Sequence, residues 1–354
     1  MTKLSALLIG SGDSFLLESD NNTYLIDSGG NQKLILNLIP EKINLAICTH
    51  NDSDHCNGFL GILKSKVHTI DEIWLPGIWA TVIDFIKNNQ LNFEFSRRDI
   101  DNVNFDNIDM ENIFVDSEEN IDEFIDELSF LSDYSDNKNL FFRHFVFNRH
   151  LANSKIYFNI NRICEIARLA YQKGVAIKWF FPNKSGGTVI DNFRPVNSEN
   201  LLNMKKIKNN DIKYFLQLAY LTSENIHSLV FEYQIETIPR ILFTADSIVS
   251  IPPYTAQIIV TVPHHGSKSN KQVYSGINNG ENLIWIRSDR PSYSRPCNEF
   301  LQLKNKYCLS CTKTHPIRRE KISFELIGGQ WKYISGLQCN CKVLPLPMQV
   351  GSTI

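Results

Sequence analysis

Apolar residues gather in short runs near the start of this chain, in "KLSALLIG", "SFLLES", "TYLIDSGG" and "INLAICTH", and each run is closed by Gly, Asp or Asn. Such runs bounded by turn residues predict strands. After "DEIWLPGIW" the period changes. In "SEENIDEFIDELSFL", Ile121, Phe124, Ile125 and Leu128 fall at helical spacing with an acidic opposite face, and "NRICEIARLAYQKG" predicts a helix closing on Gly174. Strand patterns return in "VAIKWFFP", "SLVFEYQIE", "RILFTADS", "QIIVTVPHHGS" and "NLIWIRS". "CNEFLQLKNKY" predicts a further helix, and "EKISFELIGGQWKYIS" a hairpin turning at Gly328 and Gly329. No internal repeat and no Gly/Ser-rich or Pro-rich linker interrupts the pattern. Two strand-rich stretches around a helical one predict a single α/β domain formed by residues 1–78 and 171–337, with an inserted helical cap at 79–170 and a tail at 338–354.

Composition narrows the class. The 354 residues are 43% hydrophobic, enough for a substantial core. No window approaches the roughly 18 consecutive apolar residues of a membrane span, and "MTKLSALLIGSGDS" offers only a short apolar run before Gly and Asp. A soluble, cytoplasmic protein without a membrane partner is therefore expected, and eight scattered cysteines fit a reducing compartment. The net charge of −2 argues against indiscriminate nucleic-acid binding, but it is unevenly spread. Residues 99–137 hold 14 acidic and no basic residues, which leaves +12 on the remainder. A basic body is compatible with a polyanionic substrate and the acidic segment with a docking partner; solvated faces that bind nothing carry the same charges.

The candidate chemistry lies at strand ends. "CTHNDSDHCNG" brings His50, Asp52, Asp54 and His55 into the turn between a predicted buried strand and a helix. Imidazole nitrogen mixed with carboxylate oxygen suits Zn²⁺ or Mn²⁺ and is too nitrogen-rich for Ca²⁺. The alternative is an Asp/Asn-rich turn in which Asp54 caps the helix. Two later runs weigh against that alternative: "LFTADS" ends on Asp246 and "IIVTVPHHGSKSN" on His264 and His265, so three strand ends carrying donors suggest one shared sheet edge.

With these motifs in order, "GSGDS" with Asp13, "YLIDSGG" with Asp27, "THNDSDHCNG", "SENIHSLV", "LFTADS" and "VPHHGS", the chain resembles the metallo-β-lactamase superfamily, and within it the branch similar to the domain of the competence protein ComEC. The resemblance implies an αββα sandwich with two divalent metal ions, Zn or Mn. It implies that His50, Asp52 and His265 hold one metal, Asp54 and His55 the other, and that Asp246 bridges them. Asp52 stands where many relatives carry histidine, which makes the site oxygen-rich. The usual mid-chain histidine has no clear counterpart; His144, His150 and His227 are candidates by location only. Asp13 and Asp27, beside turn glycines, are expected to support the ligands.

Two cations roughly 3.5–4 Å apart would activate a hydroxide for hydrolysis. The resemblance points to a phosphodiesterase or nuclease. Asp54 and His264 are then the candidate catalytic residues, His264 as proton donor, while Ser267, Lys268, Lys271 and Arg295 are candidates for phosphate contact. A small-molecule (phospho)ester hydrolase and a non-catalytic interaction module remain alternatives. Cys308, Cys311, Cys339 and Cys341 have spacings that admit a structural zinc, though isolated thiols are the favoured reading.

Overall fold

The computed structural model describes residues 1–88, 114–126, 128, 155–207, 212–222, 227–275, 277, 282–288, 295–310 and 321–335. The chain opens with a meander of β1 (Thr2–Ala6), β2 (Phe15–Ser19) and β3 (Asn22–Ile26). β4 (Lys42–Ile47) and β5 (Thr69–Pro76) then add in parallel, followed respectively by α1 (Ser53–Lys64) and α2 (Gly77–Asn88). Further on come β6 (Phe114–Asn120), α3 (Ile121–Asp126), α4 (Lys155–Gln172) and β7 (Ala176–Pro182), which lies parallel to β5. Three short strands follow, β8 (Phe193–Pro195), β9 (Ser198–Asn200) and β10 (Asn203–Ile207), then α5 (Ile212–Leu221). The second half supplies β11 (Phe231–Ile235), β12 (Ile238–Phe243), β13 (Ile258–Thr261), β14 (Leu283–Arg287), the single-turn α6 (Asn298–Leu301), β15 (Lys306–Cys308), and the hairpin β16 (Ile322–Ile327) and β17 (Gln330–Ser335).

These strands make a nine-stranded sheet, ordered β17-β16-β1-β2-β3-β4-β5-β7-β9, and a six-stranded sheet, ordered β15-β14-β13-β12-β11-β8. Side chains alternate between layers as the two-residue period of a strand requires. Leu45 and Ile47 of β4 belong to the core between the sheets, and Ala46 between them to the core under the helices. In β14, Ile284 and Ile286 face inward, while Leu283 and Trp285 meet Tyr274, Phe300 and Leu301 on the outside. Strands covered on both faces read as continuous apolar runs, which is why the segments stood out in the sequence. The architecture is a mixed α/β arrangement consistent with an αββα sandwich. Trp74, Phe180, Phe193 and Phe231 pack edge to face and tilted between the sheets, each burial contributing about 2–3 kcal/mol.

Within the stretch expected as an inserted cap, α2 and α4 both pack into the helical core on the nine-stranded sheet, through Trp79, Val82, Ile83 and Ile86 and through Ile160, Ile163, Ile166 and Ala170. Residues 89–113 and 129–154, with His144 and His150, lie outside the described residues. Ile121, Phe124 and Leu128 are buried as their spacing predicts, but Ser117–Asn120, read as the start of that helix, is the end of β6. The reason is a nonlocal partner. β10 pairs with β6, sets Lys205 opposite Asp116, and brings Lys206 into ion pairs with Glu119 and, at 3.9 Å, Asp84. Among the described residues no helix is long and apolar enough to cross a membrane.

Candidate metal centre

The parallel strands β3 and β4 of one sheet and β12, β13 and β14 of the other release their carboxyl ends at a common edge. The link across that edge is direct: the Leu229 amide, just before β11, donates to the Thr49 carbonyl beyond β4 (2.9 Å). Four non-glycine residues there hold left-handed backbone, Asp27 (φ 54°), Ala245 (φ 46°), His264 (φ 47°) and His265 (φ 54°), at about 1–3 kcal/mol each. The two histidines use that turn to aim successive imidazoles at one carboxylate, with Nε2 of His264 and His265 at 3.5 and 3.8 Å from Asp246. The fully buried Arg287 secures the turn by donating from Nε to the His265 carbonyl (2.8 Å) and from Nη1 to that of Ser310 (3.2 Å).

Each ligand-like histidine is held at Nδ1 so that Nε2 faces the centre. Asp27 receives the Thr49 hydroxyl (2.8 Å) and amide (2.9 Å) and stands 2.8 Å from Nδ1 of His55. Because the Thr49 proton is already given to Asp27, its oxygen accepts from Nδ1–H of His50 (3.0 Å), and the His50 lone pair is left on Nε2. Asp13 lies 3.1 Å from Nδ1 of His265 and also accepts from the Ser288 hydroxyl. Carboxylates that orient imidazoles in this way fix the tautomer a metal needs.

Around the centre, Asp246 oxygens lie 3.2 Å from Nε2 of His55 and 3.7 Å from Nε2 of His50, and Asp54 lies 3.6 Å from Nε2 of His265. Among the described residues, candidate donor atoms form three overlapping groups, each within 4.8 Å: His50, Asp52 and Asp246; His55, Asp246 and His265 with Asp13; and Asp27, His50 and His55, whose Asp27 is already engaged by Thr49. Asp246 belongs to two of these groups. His265 falls with His55 and Asp54 rather than with His50 and Asp52, because the left-handed turn carries its Nε2 to 3.3 Å from that of His55. His227 is in none of these groups among the described residues.

The arrangement fits a cation. Nε2 of His50 is buried without a hydrogen-bond partner, and two imidazole nitrogens face each other at 3.3 Å among carboxylates. Asp52 occupies the N-cap position of α1, its side chain makes no capping bond, and it belongs to a donor group. Burial, with the neighbouring His55 charge, lowers the His50 pKa and keeps its Nε2 lone pair available. Burial opposes charge on His55 and His265 too, but Asp246 and Asp27 outweigh it for His55, which is held well above the usual range. Asp13 and Asp246 do the same for His265, pushed up to about 10. Asp246 is held well below the ordinary carboxylate range: burial would raise it, and the charges of His55 and His265 prevail.

A pH effect follows with a definite sign. The raised pKa values of His55 and His265 in the metal-free protein set protons in competition with a cation for these nitrogens, so Zn²⁺ binding is expected to release protons and to weaken as pH falls. Titration calorimetry in buffers of different ionisation enthalpy measures this, and heats that do not vary with buffer would contradict it. Without metal, the stabilisation from His265 is complete below its ordinary 6.5 and is lost as pH rises through about 10.

His264 is the more open histidine, its side chain 25% exposed. Ser267 is buried, and its hydroxyl accepts from the Ser269 amide (3.4 Å) in the turn leading to the 3₁₀ segment Lys268–Tyr274. Lys268 and Lys271 are exposed on that segment. Arg295 is half-buried two residues before Cys297, whose amide donates to the Gly266 carbonyl (2.7 Å), and so shares the rim of the paired histidines. Of the four cysteines considered for zinc, Cys308 is buried at the end of β15, and Cys311, Cys339 and Cys341 lie outside the described residues. The supporting roles of Asn51, Arg162, Asn270, Arg287 and Ser288 carry no pattern along the chain. Arg162 on α4, for example, donates to the Asn51 carbonyl inside the metal loop, across 111 residues.

The fold and centre together define a class, an αββα sandwich with a histidine and aspartate cluster at the edge where its sheets meet. Residues 8–119 match the family model of the metallo-beta-lactamase superfamily. That match contains Asp13, Asp27 and the His50–His55 loop; Asp246, His264 and His265 join them through the tertiary structure. No curated protein matches the chain.

Proposed function

We propose that this protein is a metal-dependent hydrolase that cleaves phosphodiesters, with nucleic acid as the substrate class. The observation that carries the hydrolase reading is the convergence of His50, Asp52, His55, Asp246 and His265 in donor groups no wider than 4.8 Å. When bound there, divalent cations supply Lewis acidity and an activated water. His50 and Asp52 would hold one, His55, Asp54 and His265 the other, and Asp246 both. Asp27 and Asp13 keep the imidazoles turned inward, and the Asp27–Thr49 pair does so for His50. His264 stands at the open side with Nε2 toward the centre, placed to give a proton to a departing oxygen.

Support for a phosphodiester comes from the likeness to the ComEC-like branch, from the positive balance outside residues 99–137, and from the exposed Lys268 and Lys271 beside His264. The test is an activity panel on linear DNA, circular DNA, RNA and cyclic nucleotides with Mn²⁺ or Zn²⁺, run beside Asp54→Ala. Activity on at least one nucleic acid, lost by about 10²-fold or more in the variant, is the expected result. Turnover of small esters alone would replace the substrate class. A chain that binds less than about one metal and stays inert with both cations would support a non-catalytic module instead.

A further inference from the structure

Four histidines surround Asp246, and one is built differently. His50, His55 and His265 have side chains 0–4% exposed, and their Nδ1 atoms are engaged by Asp27, Asp13 or the Asp27-bound Thr49. His264 is 25% exposed, and its Nδ1 meets the amide of Asn270, Oδ1 at 3.1 Å. Asn270 is itself buried, 2% exposed. Its Nδ2 donates to the carbonyls of Asp246 (3.0 Å) and Ser247 (3.2 Å). Reversing the amide would set an oxygen against both carbonyls, so the orientation is decided by its partners. Oδ1 must then face His264, and Nδ1 must carry the hydrogen. The Ser269 hydroxyl, 3.2 Å from the same Nδ1, fits this assignment, since it has Ser267 Oγ (3.0 Å) and Asn270 Oδ1 (2.9 Å) to donate to and can accept from the ring.

We propose that Asn270 is a positioning residue that fixes the tautomer of His264 and so makes Nε2 the single ring atom through which His264 exchanges a proton with substrate. This rests on the phosphodiester reading above. The same amide ties His264 to the backbone of Asp246, so the proton-carrying ring and the carboxylate shared by both donor groups move as one unit. In the step this serves, a water oxygen forms the new P–O bond as the P–O bond to the leaving group breaks. The Nε2 proton passes to the departing oxygen, and the proton lost by water replaces it, while Nδ1–H stays on Asn270 throughout. A neutral amide suits this role where a carboxylate would not, because it orients the ring without holding the proton on it by charge.

The experiment is long-range ¹H–¹⁵N NMR of the full chain labelled at histidine, without metal and with Zn²⁺, using His264→Gln to assign the ring. A protonated Nδ1 on His264 is expected in both states; a ring protonated at Nε2 alone overturns the proposal. In Asn270→Ala the ring is expected to gain the Nε2–H form with zinc content unchanged. Turnover of a dinucleotide with an alkoxide leaving group should fall about 100-fold, and that of bis(p-nitrophenyl) phosphate, whose phenolate leaves unaided, less than about tenfold. Equal losses on both substrates with unaltered His264 resonances overturn it as well. Asn270→Asp keeps the acceptor at Nδ1 but loses both donations to the backbone, and should retain the Nδ1–H signature without recovering the dinucleotide rate; should neither variant fold, the wild-type spectra decide. If the wild-type protein turns over neither phosphodiester, the reading of function fails while the tautomer is still decided by the spectra.

Discussion

Replacing Asp246 by alanine is expected to strip metal from both donor groups and to lower any hydrolytic activity by on the order of 10³-fold or more. Asp246 is the one carboxylate shared by the groups, with oxygens 3.2 Å from His55, 3.5 Å from His264, 3.7 Å from His50 and 3.8 Å from His265. Losing any other ligand leaves one of the two groups that contain Asp246 intact; losing Asp246 opens both of these. Asp246→Asn separates charge from shape, since it keeps the side-chain volume and should lose metal nearly as completely. The metal-free fold is expected to suffer too, by up to about 3–5 kcal/mol at pH 7, because His55 and His265 lose the buried anion that offsets their charge. Metal analysis and urea unfolding of the metal-free chains measure the two effects. A variant that retains two cations and full turnover would show that the shared carboxylate is not a ligand.

Gly12→Ala should do comparable damage from outside the donor set. Gly12 sits at φ +87°, and a Cβ there would land on the Asp54 carbonyl, in the first turn of α1. Backbone cannot yield as a flexible side chain does, so either α1 shifts and takes Asp52, Asp54 and His55 with it, or Asp13 loses its hold on His265. The left-handed strain and the clash together are expected to cost about 2–4 kcal/mol and to weaken metal binding about 10–100-fold. Gly10 provides the control: it has a similar φ, +86°, but an added Cβ meets nothing within 4 Å. Gly10→Ala should therefore cost about 1 kcal/mol and leave metal binding alone. Melting temperatures and zinc titrations of the pair read out the difference, and equal behaviour would show that the contact with Asp54 is not tight in solution.

Much of this architecture was legible before any coordinates. β1 to β4, β7 and β11 to β14 coincide with apolar runs, since strands buried on both faces leave an unbroken mark in the chain, while the β16–β17 hairpin, with β17 largely exposed, was marked by its turn glycines Gly328 and Gly329. β6, β8, β9 and β10 were not legible. They are three to seven residues long and owe their conformation to partners such as Lys205 opposite Asp116, which local propensity does not encode.

The same division runs through the centre. The sequence by itself determined the inventory: which residues carry imidazole or carboxylate, and that they stand just beyond predicted strands, because an apolar run ending in donors is a local pattern. Only the tertiary structure decided which nitrogen each histidine presents, that His265 belongs with His55 and Asp54, and that Asn270 holds His264. Those facts depend on where atoms of residues as distant in the chain as Asp13 and Ser288 come to lie, and the packing of two sheets, not the period of either, sets those positions.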